Sequence, residues 1–135
     1  MSKIKESSTN FANKQILGTV CAEIYAASLI GGQWTLAICC HLANGKLRFG
    51  ELKELIPNIT ERMLTLQLRK MEADKLVTRT VYPTVPLRVE YELTDSGQAL
   101  RPIIKQLAAW GQEHRNKIRH RNKKGLRYQK QTGLL

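Results

Sequence analysis

Ile59-Thr60-Glu61-Arg62-Met63-Leu64-Thr65-Leu66-Gln67-Leu68-Arg69-Lys70-Met71-Glu72-Ala73 is the stretch around which the chain is organised. At about 100° per residue, Leu64, Leu68 and Met71 fall on one narrow stripe, the i, i+4, i+7 spacing of a helix with a buried face. Arg62, Thr65 and Arg69 lie on the other side. Guanidinium and hydroxyl groups bond phosphates and base edges, and a guanidinium is the shape best suited to bidentate contact with guanine. Thr60 is the expected N-cap, because its hydroxyl can accept from a free first-turn amide and Pro57 discourages an earlier helix. Leu66 points outward, a blemish unless it packs on a neighbour or a thymine methyl. Taken alone, the stretch reads as an ordinary amphipathic surface helix, since most helices with two outward arginines touch only water.

The context on both sides decides between these readings. The chain has 135 residues, enough for one domain with a real core and too few for two comfortable ones. It carries 22 Lys and Arg against 11 Asp and Glu, a net charge of +11 that favours an anionic partner. The excess is uneven: residues 1–113 hold 14 basic and 11 acidic groups, whereas 114–135 hold eight basic groups and no acid. Three domain-level segments follow: a loose N-terminal arm over 1–15, a folded domain over 16–113, and a basic C-terminal tail over 114–135. Cys21, Cys39 and Cys40 form no C-x-x-C pair, which suits a reducing compartment. The apolar run Ile16 to Ile30 contains Glu23 and is too short to span a bilayer, so a soluble cytoplasmic protein is expected.

Before the key stretch, Ile16, Val20, Ile24 and Ala27 predict a first helix to about Ile30, starting near Gly18 and broken by Gly31-Gly32. Trp34, Ile38 and Leu42 predict a second, stopped by Asn44-Gly45. Phe49, Leu52 and Ile56 predict a short third helix over 48–56, and Pro57-Asn58 leads into the Ile59 to Ala73 helix. Beyond it the period changes to two. Leu76 to Tyr82 is rich in Val and Thr, and Val89, Tyr91 and Leu93 alternate with Arg88, Glu90 and Glu92. Pro83 and Pro86 stiffen the loop between them, so the pair reads as a hairpin with a projecting tip. Thr94-Asp95 caps a last helix with Leu100, Ile103, Ile104, Leu107 and Trp110 as its apolar face. Three helices, a two-stranded hairpin and a further helix are the order of an α+β winged helix-turn-helix domain.

Particular residues strengthen that reading. The run Ile30-Gly31-Gly32-Gln33-Trp34-Thr35-Leu36, then Leu47-Arg48-Phe49-Gly50-Glu51-Leu52, resembles the HxlR family of bacterial winged-helix regulators, relatives of the MarR group. The resemblance continues through Ile59-Thr60, Leu64-Thr65, Leu68, Glu72-Ala73-Asp74, Tyr82-Pro83, and Pro86 to Thr94 with Gly97, and ends near Trp110. It implies a homodimer that binds palindromic operator DNA and represses or activates nearby genes. The Thr60 helix would enter the major groove, and the tip at Pro83 to Arg88 would reach the adjacent backbone or minor groove. Candidate DNA contacts are therefore Thr60, Arg62, Thr65 and Arg69, with Arg79 and Arg88 on the hairpin. First and last helices form the dimer interface in such proteins, and Ile24, Ala27, Leu107 and Trp110 offer more apolar face than a small domain needs to cover. Gln33 stands where the family has Lys, Lys75 where it has Gly, and the basic tail extends beyond its pattern. A left-handed backbone at Lys75 would carry a steric cost.

Cys21 matches a cysteine that several members use to sense electrophiles or oxidants, although Ala22 replaces the Pro that follows it there. The competing reading is a small buried hydrophobe. Cys39-Cys40-His41 lacks a distant second pair and is read as core packing, so no metal and no cofactor is expected. No catalytic triad, paired carboxylates or phosphate loop is present, and the chain reads as a binding protein rather than an enzyme. The tail is read as a solvated end by default, with a non-specific nucleic-acid arm or a continuing helix as alternatives. Its charge also admits an RNA- or ribosome-associated protein, and a winged-helix adaptor for other proteins is a third class. A small-molecule or redox effector is left open.

Overall fold

A computed structural model describes the backbone of residues 21–132 and the side chains of residues 21–124. The expected N-terminal arm lies outside these residues. Among the described residues, those up to Gln98 form one compact unit and those from Ala99 a second. Among the described residues, no helix is long and apolar enough to cross a membrane.

Helix α1 spans Ala22–Ile30 and none of its residues is buried. It begins later than the apolar spacing suggests, because Cys21 has extended backbone (φ −149°, ψ 116°) and acts as the N-cap residue. Helix α2, Gln33–Leu42, buries Thr35, Ile38, Cys39 and Leu42. Gly45 follows at φ +136°, where a side chain would be strained. A two-residue strand β1, Leu47–Arg48, then leads into α3, Phe49–Leu55. The Glu51 carboxylate accepts from the Arg48 amide at 3.1 Å and holds the start of α3.

The key stretch folds as α4, Glu61–Ala73, burying Leu64, Leu68 and Met71 as their spacing requires. The Thr60 hydroxyl accepts from the Met63 amide at 3.1 Å, the expected cap. At its other end Lys75 is left-handed (φ 61°), and Leu76 N donates to Met71 O at 2.9 Å to close the helix. Asn58 is also left-handed (φ 68°), a conformation Asn tolerates better than most side chains.

Strands β2, Val77–Tyr82, and β3, Arg88–Leu93, form the expected hairpin with Tyr82 opposite Arg88. The sheet nonetheless has three strands in the order β1-β3-β2, with Leu47 opposite Tyr91 and Arg48 opposite Glu90. Two residues are too few to show a period, so β1 has no sequence signature. Ile38, Leu42, Leu52, Ile56, Ile59, Leu64, Leu68, Met71, Leu76, Val77, Tyr91 and Leu93 make one core between α2, α3, α4 and the sheet.

The expected last helix is two. Helix α5, Asp95–Ala99, is capped by the Thr94 hydroxyl, which accepts from the Gly97 amide at 3.1 Å. A Cβ at Gly97 would collide with the Leu76 carbonyl oxygen and press on Leu93. The chain turns at Leu100, and α6 runs over Arg101–Thr132. Pro102 explains the break: it lacks an amide and clashes with the carbonyl four residues back, so it fits only a first turn. Helix α6 passes His114 without interruption, so the basic segment continues as helix to Thr132, the alternative of a continuing helix, with its side chains exposed through Lys124. Residues 114–132 contain no Pro and are rich in Lys, Arg and Gln, all good helix formers.

Candidate nucleic-acid interface

Helix α4 owes its placement to its buried stripe and to α2. Thr35, fully buried, directs its hydroxyl at Gln67 Oε1 across 3.4 Å, the one polar group sealed between the two helices. With Leu64, Leu68 and Met71 inward, Arg62, Leu66 and Arg69 are left exposed on the far side. Leu66 is 50% exposed, so about half of this apolar side chain stays open to solvent. The side chains of Arg62 and Arg69 make no hydrogen bond or ion pair among the described residues.

The other candidates divide. The Thr60 hydroxyl is occupied by the Met63 amide, and the Thr65 hydroxyl donates to Glu61 O at 2.8 Å in a half-buried position. Arg88 lies over the Tyr82 ring, 4.2 Å from its centroid, with Nε 3.5 Å from Glu90 Oε1. That Nε is buried without a hydrogen bond, so the sheet surface holds this guanidinium rather than leaving it free to swing. Beyond it the hairpin tip is exposed, with Val85 and Leu87 projecting. Arg79 sits opposite Tyr91, exposed at the edge of the sheet.

Arg69 and Arg79 come together in a feature that the sequence did not signal. With Phe49, Thr65, Glu72 and Tyr91 they line a cleft of about 370 Å³ between α4, the start of α3 and the sheet. Phe49, Glu72 and Tyr91 come from three separated segments, and the pairing of β1 with β3 is what sets Phe49 beside the strand that carries Tyr91.

Cys21 is half-buried at the α1 N-cap, and its thiol donates to the Glu23 carboxylate. That bond holds the Glu23 carboxyl below the usual carboxylate range. Cys39 is buried, and burial pushes its thiol up to about 11, with a smaller contribution from Cys40. Cys40, expected in the core, is exposed, because adjacent helical positions point about 100° apart. Ile24 and Ala27 on α1 are exposed, as are Leu107 and Trp110 on α6, where the Trp110 ring stacks on His114 at 5.0 Å. Ile103 and Ile118 extend that exposed apolar stripe.

A helical pair presenting an uncovered arginine-bearing helix, followed by a hairpin, defines a winged helix-turn-helix protein of the kind that regulates transcription. The sequence matches the HxlR-like helix-turn-helix family over residues 29–119, and the chain belongs to that family. It is 52% identical over 90 residues, 67% of this chain and 71% of the relative, to the uncharacterized HTH-type transcriptional regulator YtcD of Bacillus subtilis (strain 168). It is 43% identical over 106 residues, 78% of this chain and 85% of the relative, to YybR, another such regulator of the same organism. The solved structure of the redox regulator HypR in its reduced form superposes with a TM-score of 0.69 at 43% identity, covering 74% of this chain and 99% of that one. The protein is a transcriptional regulator of the HxlR and MarR type.

Proposed function

We propose that the protein binds a palindromic operator as a homodimer, with α4 in the major groove and the hairpin tip against the neighbouring backbone. One observation carries this reading. Arg62, Leu66 and Arg69 form an exposed surface on a helix whose opposite face is locked into the core, so their positions are set before DNA arrives. Two such helices related by a two-fold axis would meet half-sites about 34 Å apart. The exposed faces of α1 and α6, at Ile24, Ala27, Leu107 and Trp110, are the surfaces we assign to the dimer. Arg79 and Arg88 contribute charge from the sheet, and the cations of residues 114–135 add phosphate attraction without sequence preference. The role is one of binding, not catalysis, and belongs in the cytoplasm with the chromosome.

Cys21 is the site at which we place an electrophile or redox response. Its half-buried position at a helix start leaves the thiol reachable, and a relative of known structure is named as a redox regulator.

Selection of bound sequences from a random duplex pool tests the operator reading. The expected result is an inverted repeat whose preference relaxes in Arg62→Ala or Arg69→Ala, since a bidentate base contact carries about 1 to 3 kcal/mol of discrimination. Stronger binding to RNA than to any selected duplex, or preference unchanged in both variants, would overturn it.

A further inference from the structure

Leu66 is a large apolar side chain in a cationic setting. On α4, Arg62 and Met63 lie one turn before it and Arg69 and Lys70 one turn after, the positions whose side chains neighbour it on the helix surface. Arg62, Arg69 and Lys70 are exposed, and none of their side chains makes a hydrogen bond or ion pair among the described residues. Met63 is 37% exposed, and its sulfur accepts from the Gln67 side-chain amide at 4.0 Å. Leu66 and Met63 thus form an apolar spot with unpaired cations on both sides of it along the helix. An anionic partner drawn to those cations is brought against a side chain that can neither donate nor accept a hydrogen bond.

We propose that Leu66 is a specificity-determining residue that reads the C5-methyl group of an operator thymine, so that α4 distinguishes 5-methylpyrimidines from their unmethylated forms. This rests on the proposed placement of α4 in the major groove. Base edges there present donors and acceptors that Leu66 cannot satisfy, and the one apolar group among them is the thymine methyl. Against any other base, Leu66 strips water from a polar edge and returns no hydrogen bond. The flanking arginines fix which thymine is read. A rise of about 1.5 Å per residue sets Arg62 about 6 Å before Leu66 and Arg69 about 4.5 Å after it along the helix axis. With base pairs about 3.4 Å apart, each guanidinium reaches a guanine within about two pairs of the methyl. The half-site therefore holds a 5-methylpyrimidine between two guanines, counted on either strand. Because the contact is with the methyl alone, 5-methylcytosine presents the same group as thymine.

Deletion of the methyl tests this. In a duplex selected from a random pool, replacing that thymine by deoxyuridine removes one methyl group and leaves every hydrogen bond of the pair in place. Affinity of the full chain, followed by fluorescence anisotropy, should fall about fourfold for one half-site and about fifteenfold for both. A duplex with cytosine at that place should gain about fourfold on 5-methylation. Leu66→Ala leaves the buried Leu64, Leu68 and Met71 untouched and should abolish both differences with circular dichroism unchanged. Arg62→Ala should weaken binding yet keep the fourfold ratio, since it removes a different contact. Equal affinity for thymine and deoxyuridine at every place between the guanines, a selected half-site with no thymine there, or a methyl effect that persists in Leu66→Ala would each overturn the proposal and leave the operator reading standing. If the pool yields no bound duplex, the operator reading fails and this proposal fails with it.

Discussion

Thr94 donates its hydroxyl hydrogen to the carbonyl oxygen of Lys75 at 2.5 Å, 19 residues earlier, while its oxygen accepts from the Gly97 amide. One hydroxyl thus pins the left-handed residue that ends α4 and caps the helix after the hairpin. The two substitutions that separate these effects differ in sign. Lys75→Gly removes a left-handed penalty of about 1 to 2 kcal/mol at an entropic cost of about 0.5 to 1, a net gain of up to about 1.5 kcal/mol. Thr94→Val loses the cap and leaves a carbonyl short of a donor, a cost of about 1 to 2 kcal/mol. Urea unfolding of both variants measures these changes.

The buried thiol predicts an alkaline limb in stability. The Cys39 thiol is raised from 9.0 to about 11 by burial, so the folded chain resists the ionisation that the unfolded chain undergoes. The resulting stabilisation is fully present below about pH 9 and is lost as the pH rises through about 11. Melting temperatures followed from pH 8 upward should therefore fall more steeply for the native chain than for Cys39→Ala.

The basic segment and α4 should respond differently to salt. Deleting residues 115–135 should lower affinity for operator and scrambled duplex alike and flatten the salt slope by about 0.9 per lost phosphate contact. Fluorescence anisotropy across a salt series measures it. A truncation that erased sequence preference would move the reader from α4 to α6.

The exposed apolar side chains of α6 give a test of assembly. Trp110 is 64% exposed and Leu107 43%. Burying such groups across a two-fold axis contributes about 1.5 to 3 kcal/mol each, so Trp110→Asp should raise the dimer dissociation constant by at least about 100-fold. Light scattering at micromolar concentration should show a dimer for the native chain and half that mass for the variant.

For Cys21 the readout has to be DNA affinity rather than thiol modification, because Cys40 is the more exposed thiol and is open to the same reagents. Oxidant or quinone should change operator affinity in the native chain, in Cys39→Ser and in Cys40→Ser, and leave Cys21→Ser unaffected. A response that survives in Cys21→Ser would make this residue a packing group.

Much of this architecture is legible wherever a period repeats. Leu64, Leu68 and Met71 declare α4, and Val89, Tyr91 and Leu93 declare β3, because several side chains vote for the same face. Short or two-sided features leave no such vote. Strand β1 has only Leu47 and Arg48, and its pairing with β3 is what brings Phe49 to the cleft. Pro102 carries the signal for the break at Leu100, but the continuous apolar spacing from Leu100 to Trp110 masks it. Residues 114–132 combine high charge with good helix formers, and those properties point to solvation and to helix in turn. At the interface, Arg62 and Arg69 are legible as outward groups, whereas the stacking of Arg88 on Tyr82 depends on hairpin register.

Gly97 has a consequence for how this sequence can drift. Every replacement of a glycine adds a Cβ, and here that atom meets a backbone carbonyl, Leu76 O, rather than a side chain that could turn aside. Random mutagenesis with selection for folded protein should therefore return glycine alone at 97, while Lys75, whose φ of 61° favours the smaller residue, should accept glycine freely. The two positions flank the same strand pair, yet for a mutating population one is a wall and the other an open door.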